Sequence, residues 1–232
     1  MNERTFDDFD EFADSYRDIH SANIKLSGAD SLYFAEMKVR LLQQFENDES
    51  IKVLDIGCGD GATELFMQRY FSNWSVNGVD ISEKSIIKAK KRGLSNAIFS
   101  VYNGTRVPVQ DECFDIVFVA GVLHHVEYKF HSAIVKEIFR ILKKGGRLYI
   151  FEHNPFNPIT RYLVNTCVFD KDARLLKSNY TSRLLLKSGL KIKEKHFIIF
   201  FPRKGVFTRL IFLEKYLQWL PLGGQYFLRA TK

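Results

Sequence analysis

VLDIGCGDGATE, Val53 to Glu64, is the stretch that decides how the chain is read. An apolar run (Ile51, Val53, Leu54, Ile56) stops at a glycine loop, and helical periodicity begins straight after it. Strand, glycine loop and helix in that order mark the mouth of a parallel α/β sheet. Gly57, Gly59 and Gly61 lack a Cβ, so a ligand can lie against the backbone there. The loop feeds a helix N-terminus, where free N–H groups and the helix dipole favour a carboxylate or phosphate. The next apolar run, Val76 and Val79 in VNGVDIS, ends in an acid, Asp80.

Outward from that stretch the pattern alternates strand and helix. Strands are expected at Lys52–Ile56, Ser75–Asp80, Ala97–Tyr102, Phe114–Ala120 and Arg147–Glu152. Phe114–Ala120 is apolar on both faces, as a central parallel strand should be. Helices are expected from Ala62 to Tyr70, from a Ser82 cap to Gly93, and through Ile134, Ile138 and Leu142 to Lys143-Lys144-Gly145-Gly146. Upstream, Asp30 or Ser31 can cap a helix running to Phe45, with Phe34, Met37, Leu41 and Phe45 on one face. Downstream, the prolines of Asn154-Pro155-Phe156-Asn157-Pro158 read as a turn. A helix over Thr181–Ser188, a strand over Lys191–Phe201, a helix over Val206–Leu220 and a closing strand over Gln225–Ala230 complete the pattern. The fold class is a doubly wound, mostly parallel, Rossmann-like sheet of seven strands with helices on both faces. Residues 1–47 read as an N-terminal helical lid, and 48–232 as the main domain. Segments 155–190 and 202–224 read as insertions on the substrate side.

The 232 residues suffice for one domain with a cap, and a hydrophobic content of 46% excludes disorder. The acidic opening MNERTFDDFDEF has no apolar core, so no secretory signal is expected and the location is taken as cytoplasmic. No apolar run is long enough to span a bilayer. Cys58, Cys113 and Cys167 are far apart with no CxxC, which indicates neither disulfide nor metal. Net charge is +7, distributed unevenly: residues 1–50 hold 5 basic and 12 acidic residues, residues 153–232 hold 15 and 4. Either the ends neutralise each other, or the C-terminal third meets an acidic partner: phosphorylated substrate, nucleic acid or membrane.

Spacing alone leaves two cofactor classes open, because Gly57-x-Gly59-x-x-Ala62 followed by Asp80 also fits a nicotinamide dinucleotide site. The loop Asp55-Ile56-Gly57-Cys58-Gly59-Asp60-Gly61, with YNGTRVPVQDECFDIVFVAGVLHHV (Tyr102–Val126) and IVKEIFRILKKGGRLYIFEHNP (Ile134–Pro155), resembles the class I S-adenosylmethionine-dependent methyltransferases. The likeness is to the small-molecule group related to quinone-biosynthesis methyltransferases and covers roughly residues 50 to 155. It implies S-adenosyl-L-methionine as cofactor, S-adenosyl-L-homocysteine as product, and no metal. On that resemblance Gly57 and Gly59 admit the methionyl end, Asp55 orients its ammonium, Asp80 holds the ribose hydroxyls and Ile81 packs on the adenine. Asn103, Gly104 and Ala120 line the same strand ends, Asn103 standing where many relatives carry an acid. Asn103 either accepts from the adenine amino group or only shapes a turn. Tyr16 either covers the cofactor or packs in the lid.

A hydroxyl acceptor needs a route for its proton, and histidine titrates near working pH. His124 and His153, at the ends of the fourth and fifth strands, are the candidate catalytic bases; the alternative is a structural role. His125, Glu152, Asn154, Asn157 and Arg161 are candidate substrate residues, Arg161 for an anion. The segment Glu152–Leu176 also resembles methyltransferases of bacterial surface-glycan synthesis. The function expected is therefore O-methylation of a glycan, nucleotide sugar or other anionic metabolite. Alternatives are a C- or O-methyltransferase of a membrane-associated quinone or polyprenyl substrate, and an RNA methyltransferase. Partners expected are a small anionic substrate, no specific nucleic acid, peripheral membrane contact through 203–220, and either a monomer or a homodimer.

Overall fold

A computed structural model describes residues 28–167, 170 and 173–232. The lid through residue 27, Tyr16 included, lies outside the described residues. Seven strands form one sheet in the order β3-β2-β1-β4-β5-β7-β6. They are β1 (Lys52–Ile56), β2 (Ser75–Asp80), β3 (Ala97–Val101), β4 (Phe114–Ala120), β5 (Leu142–His153), β6 (Lys191–Ile198) and β7 (Gln225–Thr231). The first five run parallel; β7 pairs antiparallel to both β5 and β6. The order reverses between β1 and β4, which is where open α/β sheets leave a crevice at their carboxyl ends.

The core follows from the two-sided burial of the central strands. Ile116, Val117, Phe118 and Val119 of β4 are wholly buried, each worth about 1.5–3 kcal/mol relative to exposure. Helix α1 (Ser31–Leu42) starts at Asp30, whose carboxylate accepts from Tyr33 N–H at 2.7 Å. It buries Ala35, Val39 and Leu42 against Phe66 and Met67 of α2 (Ala62–Tyr70) and against Phe118, Phe151 and Phe227 of the sheet. Helices α3 (Glu83–Lys91) and α4 (Tyr128–Ile141) follow β2 and β4.

Three elements depart from the sequence reading. The run Lys143-Lys144-Gly145-Gly146 belongs to β5, not to the end of α4. Lys143 Nζ reaches Asp115 at 2.8 Å, Gly145 takes φ +74°, and Gly146 O accepts from Lys232 N–H, drawing the run into the sheet. Residues beyond the proline turn form α5 (Pro158–Thr166), with Asn157 as its cap and proline at its start. The stretch expected as a helix over Val206–Leu220 is a 3-10 coil, Gly205–Leu213, running into the short α7 (Glu214–Leu217). Helix α6 (Ser178–Lys187) precedes Gly189, and β6 ends at Ile198 where Ile199 turns to φ +64°.

Candidate active site

The glycine loop is held from β2. Gly57 and Cys58 N–H both bond Val79 O, at 2.8 and 3.2 Å, and Asp80 receives Gly59 N–H at 2.8 Å and Ser82 N–H at 2.9 Å. Gly57 is packed shut: a Cβ would strike Val122 at 2.4 Å. Gly59, at φ +55°, is the reverse, with nothing within 4 Å of the place a Cβ would occupy. Helix α2 begins after Gly61 with no side-chain cap, so its first N–H groups remain available to a ligand. Cys58 fills space beside Gly78, and burial pushes its thiol well up.

Beneath the loop Asp55 and Glu64 are buried side by side. Neither Glu64 oxygen meets a donor among the described residues, and burial raises both carboxyls, each helped by the other's charge or that of a neighbouring acid. A proton shared between them reconciles the burial with the missing donor. Lys38 of α1, half-buried, lies in the field of both Asp55 and Glu152. Burial brings its ammonium down to about 8 against the pull of those acids. The sequence pattern of α1 marked only its apolar face and passed over Lys38.

Asp80 and Ile81 sit at the end of β2. Gly104 is alongside, where a Cβ would touch Ile81 at 3.4 Å. Asn103 Oδ1 accepts from Thr105 N–H, Thr105 Oγ1 and Arg106 N–H at 3.1, 2.9 and 3.0 Å, so the turn engages the oxygen offered to an adenine. Ala120 ends β4, and Gly121 beyond it turns at φ +70°.

The opposite wall is built by β5 and the 3-10 turn Leu123–His125. Glu152, buried, accepts Leu123 N–H at 2.8 Å and His124 Nδ1–H at 2.6 Å. Asp170 lies 3.8 Å from His124 Nε2 and 3.5 Å from His125 Nε2. The His124 and His153 rings are 5.1 Å apart. Burial opposes charge on His124, but Glu152 and Asp170 outweigh it and push its pKa up to about 9. Burial, then the adjacent His124 charge, brings His153 down to about 4. Neither ring keeps the ordinary value on which the sequence reading relied. His131, wholly buried, holds the turn in place: Nε2 donates to Leu123 O and Val126 O, and Nδ1 accepts from Tyr180 OH at 2.9 Å.

Asn154 and Asn157 are spent on the backbone. Asn154 Nδ2 donates to Gly223 O at 2.7 Å and Pro221 O at 3.1 Å; Asn157 caps α5 and donates to Leu222 O at 2.7 Å. Arg161 is exposed on α5. The structure thus gathers His124, His125, His153, Glu152 and Asp170 on one wall, and Asp55, Gly59 and Asp80 on the other. Lys38, His131 and Asp170 are the participants that sequence reasoning missed.

Residues 54–150 match a family described as a methyltransferase domain. An uncharacterized protein of Methanocaldococcus jannaschii is 29% identical over 197 residues, covering 84% of this chain and 79% of that one. The 27-O-demethylrifamycin SV methyltransferase of Amycolatopsis mediterranei is 31% identical over 102 residues, 42% of this chain. The match spans only 36% of the rifamycin enzyme's length. Among solved structures, a SAM-dependent methyltransferase of Thermotoga maritima shares the fold at TM-score 0.69 and 20% identity, over 98% of this chain and all of that one. No described helix is long and apolar enough to cross a membrane.

Proposed function

We propose that this chain, a class I S-adenosylmethionine-dependent methyltransferase by its methyltransferase domain and its fold, methylates a hydroxyl oxygen on a small anionic acceptor, such as a glycan or nucleotide sugar. The residues present suit the cofactor. Gly59 leaves an open backbone face, the start of α2 is uncapped, and Asp80, anchored by Gly59 N–H and Ser82 N–H, stands at the end of β2 where a carboxylate suits a ribose diol. Asp55 lies where a carboxylate can meet an ammonium. When bound, S-adenosylmethionine supplies a methyl group on a positively charged sulfur.

The observation that carries the acceptor reading is the wall of three histidines and Glu152 at the ends of β4 and β5, joined by Asp170 from the segment after α5. Methyl transfer to oxygen needs alignment and an outlet for the hydroxyl proton. The two nitrogens of His124 face Glu152 and Asp170, so His124 orients and charges the wall. His153 takes the acceptor's proton. His153→Asn is expected to lower turnover roughly 10²- to 10⁴-fold, leaving cofactor affinity unchanged within error by calorimetry.

A second reading has its own support. Phe212, Tyr216 and Trp219 are 64, 63 and 74% exposed, with Lys204, Arg209 and Lys215 among them, a pattern suited to a membrane-borne quinone or polyprenyl acceptor. One experiment separates these readings: labelled methyl donor is incubated with enzyme and an extract of the source cells. Label in a water-soluble anionic product supports the first, and label in the organic extract the second. Label in RNA, or in nothing, overturns both.

A further inference from the structure

We propose that His124, His125 and Asp170 form a seat for one divalent transition-metal ion on the acceptor side of the site. One ligand atom from each residue lies within 4.8 Å of the others. Asp170 Oδ1 stands 3.5 Å from His125 Nε2 and 3.8 Å from His124 Nε2. A tetrahedral ion with bonds of about 2.0–2.1 Å sets its ligand atoms about 3.3 Å apart, so the two Asp170 distances need only small shifts, while the two imidazoles, within 4.8 Å of each other, close by up to about 1.5 Å through ring rotation.

The surroundings favour a seat over a chance cluster. A carboxylate can only accept, so His124 Nδ1 carries the hydrogen given to Glu152 at 2.6 Å; Nε2 is turned toward Asp170, and the ion takes the place of the proton that Nε2 holds without it. Carboxylate to histidine to ion is the usual way a ligating imidazole is fixed. Glu152 is anchored in turn by Leu123 N–H at 2.8 Å. The Asp170 segment is tied back by Arg174 N–H to His124 O at 2.8 Å, and by Ala173 N–H to Asp170 O at 2.8 Å. The His124 side chain is 2% exposed, but those of His125 and Asp170 are 19 and 12%. The seat is therefore walled on one side and open on the other. Three protein ligands with open positions are the pattern of an ion that meets substrate. Two imidazoles and one carboxylate suit Zn²⁺, Co²⁺ or Fe²⁺ better than Mg²⁺ or Ca²⁺.

The ion's role rests on the hydroxyl-acceptor reading above. It holds the acceptor oxygen beside the sulfonium methyl and favours loss of the hydroxyl proton by the route already proposed. An O–C bond forms as the S–C bond breaks, and the sulfur leaves as an uncharged thioether.

The test uses the full chain, stripped with a chelator and dialysed against Zn²⁺ and, separately, Co²⁺. One ion per chain is expected, with Co²⁺ absorption bands typical of nitrogen and oxygen ligands. His125→Ala and Asp170→Asn are each expected to weaken binding roughly 100-fold or more, and Glu152→Gln about 10- to 100-fold. His196→Ala, on β6, is expected to change nothing. Calorimetric titration with S-adenosylmethionine shows that each variant is folded. Absence of a stoichiometric ion, or full retention in both ligand variants, overturns the seat. An ion that binds while the stripped enzyme transfers methyl at an unchanged rate overturns only its role. The binding readout is independent of the acceptor, so the two failures are told apart.

Discussion

The Asp80 carboxylate holds Gly59 N–H through one oxygen and Ser82 N–H through the other, so the group proposed to receive a ribose also fixes the loop beside it. Hydrogen bonds to a charged group are worth about 1.5–3 kcal/mol. Asp80→Ala is expected to weaken S-adenosylmethionine binding well over tenfold in a protein that still folds; unchanged affinity by calorimetry would refute the assignment. The placement of Asp55, Gly57, Gly59 and Asp80 at the mouth of the sheet could be read from sequence because each stands at a fixed offset from the end of an apolar run. Lys38, His131 and Asp170 could not. Lys38 comes from a helix before the sheet begins, and His131 acts through Leu123 O, Val126 O and Tyr180 OH. Asp170 reaches the histidines across more than forty residues of chain, and spacing carries no trace of such a meeting.

At the level of elements, α5 shows how a signal can be present and misjudged. Asn157 before Pro158 is a cap followed by proline at the first helical position, a helix start as much as a turn. The neighbouring Asn154-Pro155 carries a turn signal that overlaps this helix start. Asn157 Oδ1 accepts Thr160 N–H at 2.8 Å while Nδ2 donates to Leu222 O. Asn157→Ala is therefore expected to cost about 1–2 kcal/mol, measured as a lowered midpoint in urea with methyl transfer retained. Strands β1, β2 and β4 were legible to the residue, since their runs end at glycine, proline-free turns or acids. The start of β5 was not, because Lys-Lys-Gly-Gly ends many helices and only Asp115 and Lys232 draw it into the sheet.

For the whole molecule the buried acids Asp55 and Glu64 set a dependence on pH. Burial raises both above their ordinary values of 3.8 and 4.5. The folded chain then binds more protons than the unfolded one above those values, so stability falls as pH rises from there through neutrality. Thermal melts of the cofactor-free protein are expected to show that fall, with a smaller slope in Glu64→Gln; equal slopes would refute the shared proton. A cationic ammonium beside Asp55 offsets the fall, so S-adenosylmethionine should stabilise more at pH 8 than at pH 6. The sheet order has a consequence for synthesis. Strand β6 has only β7 for a neighbour, and β7 also covers the open edge of β5. Roughly thirty residues separate the end of β6 from the end of β7, about 2–6 s of translation. During that interval the nascent chain carries an unpaired strand beside an unfinished sheet, and this is when it most needs a chaperone at the ribosome.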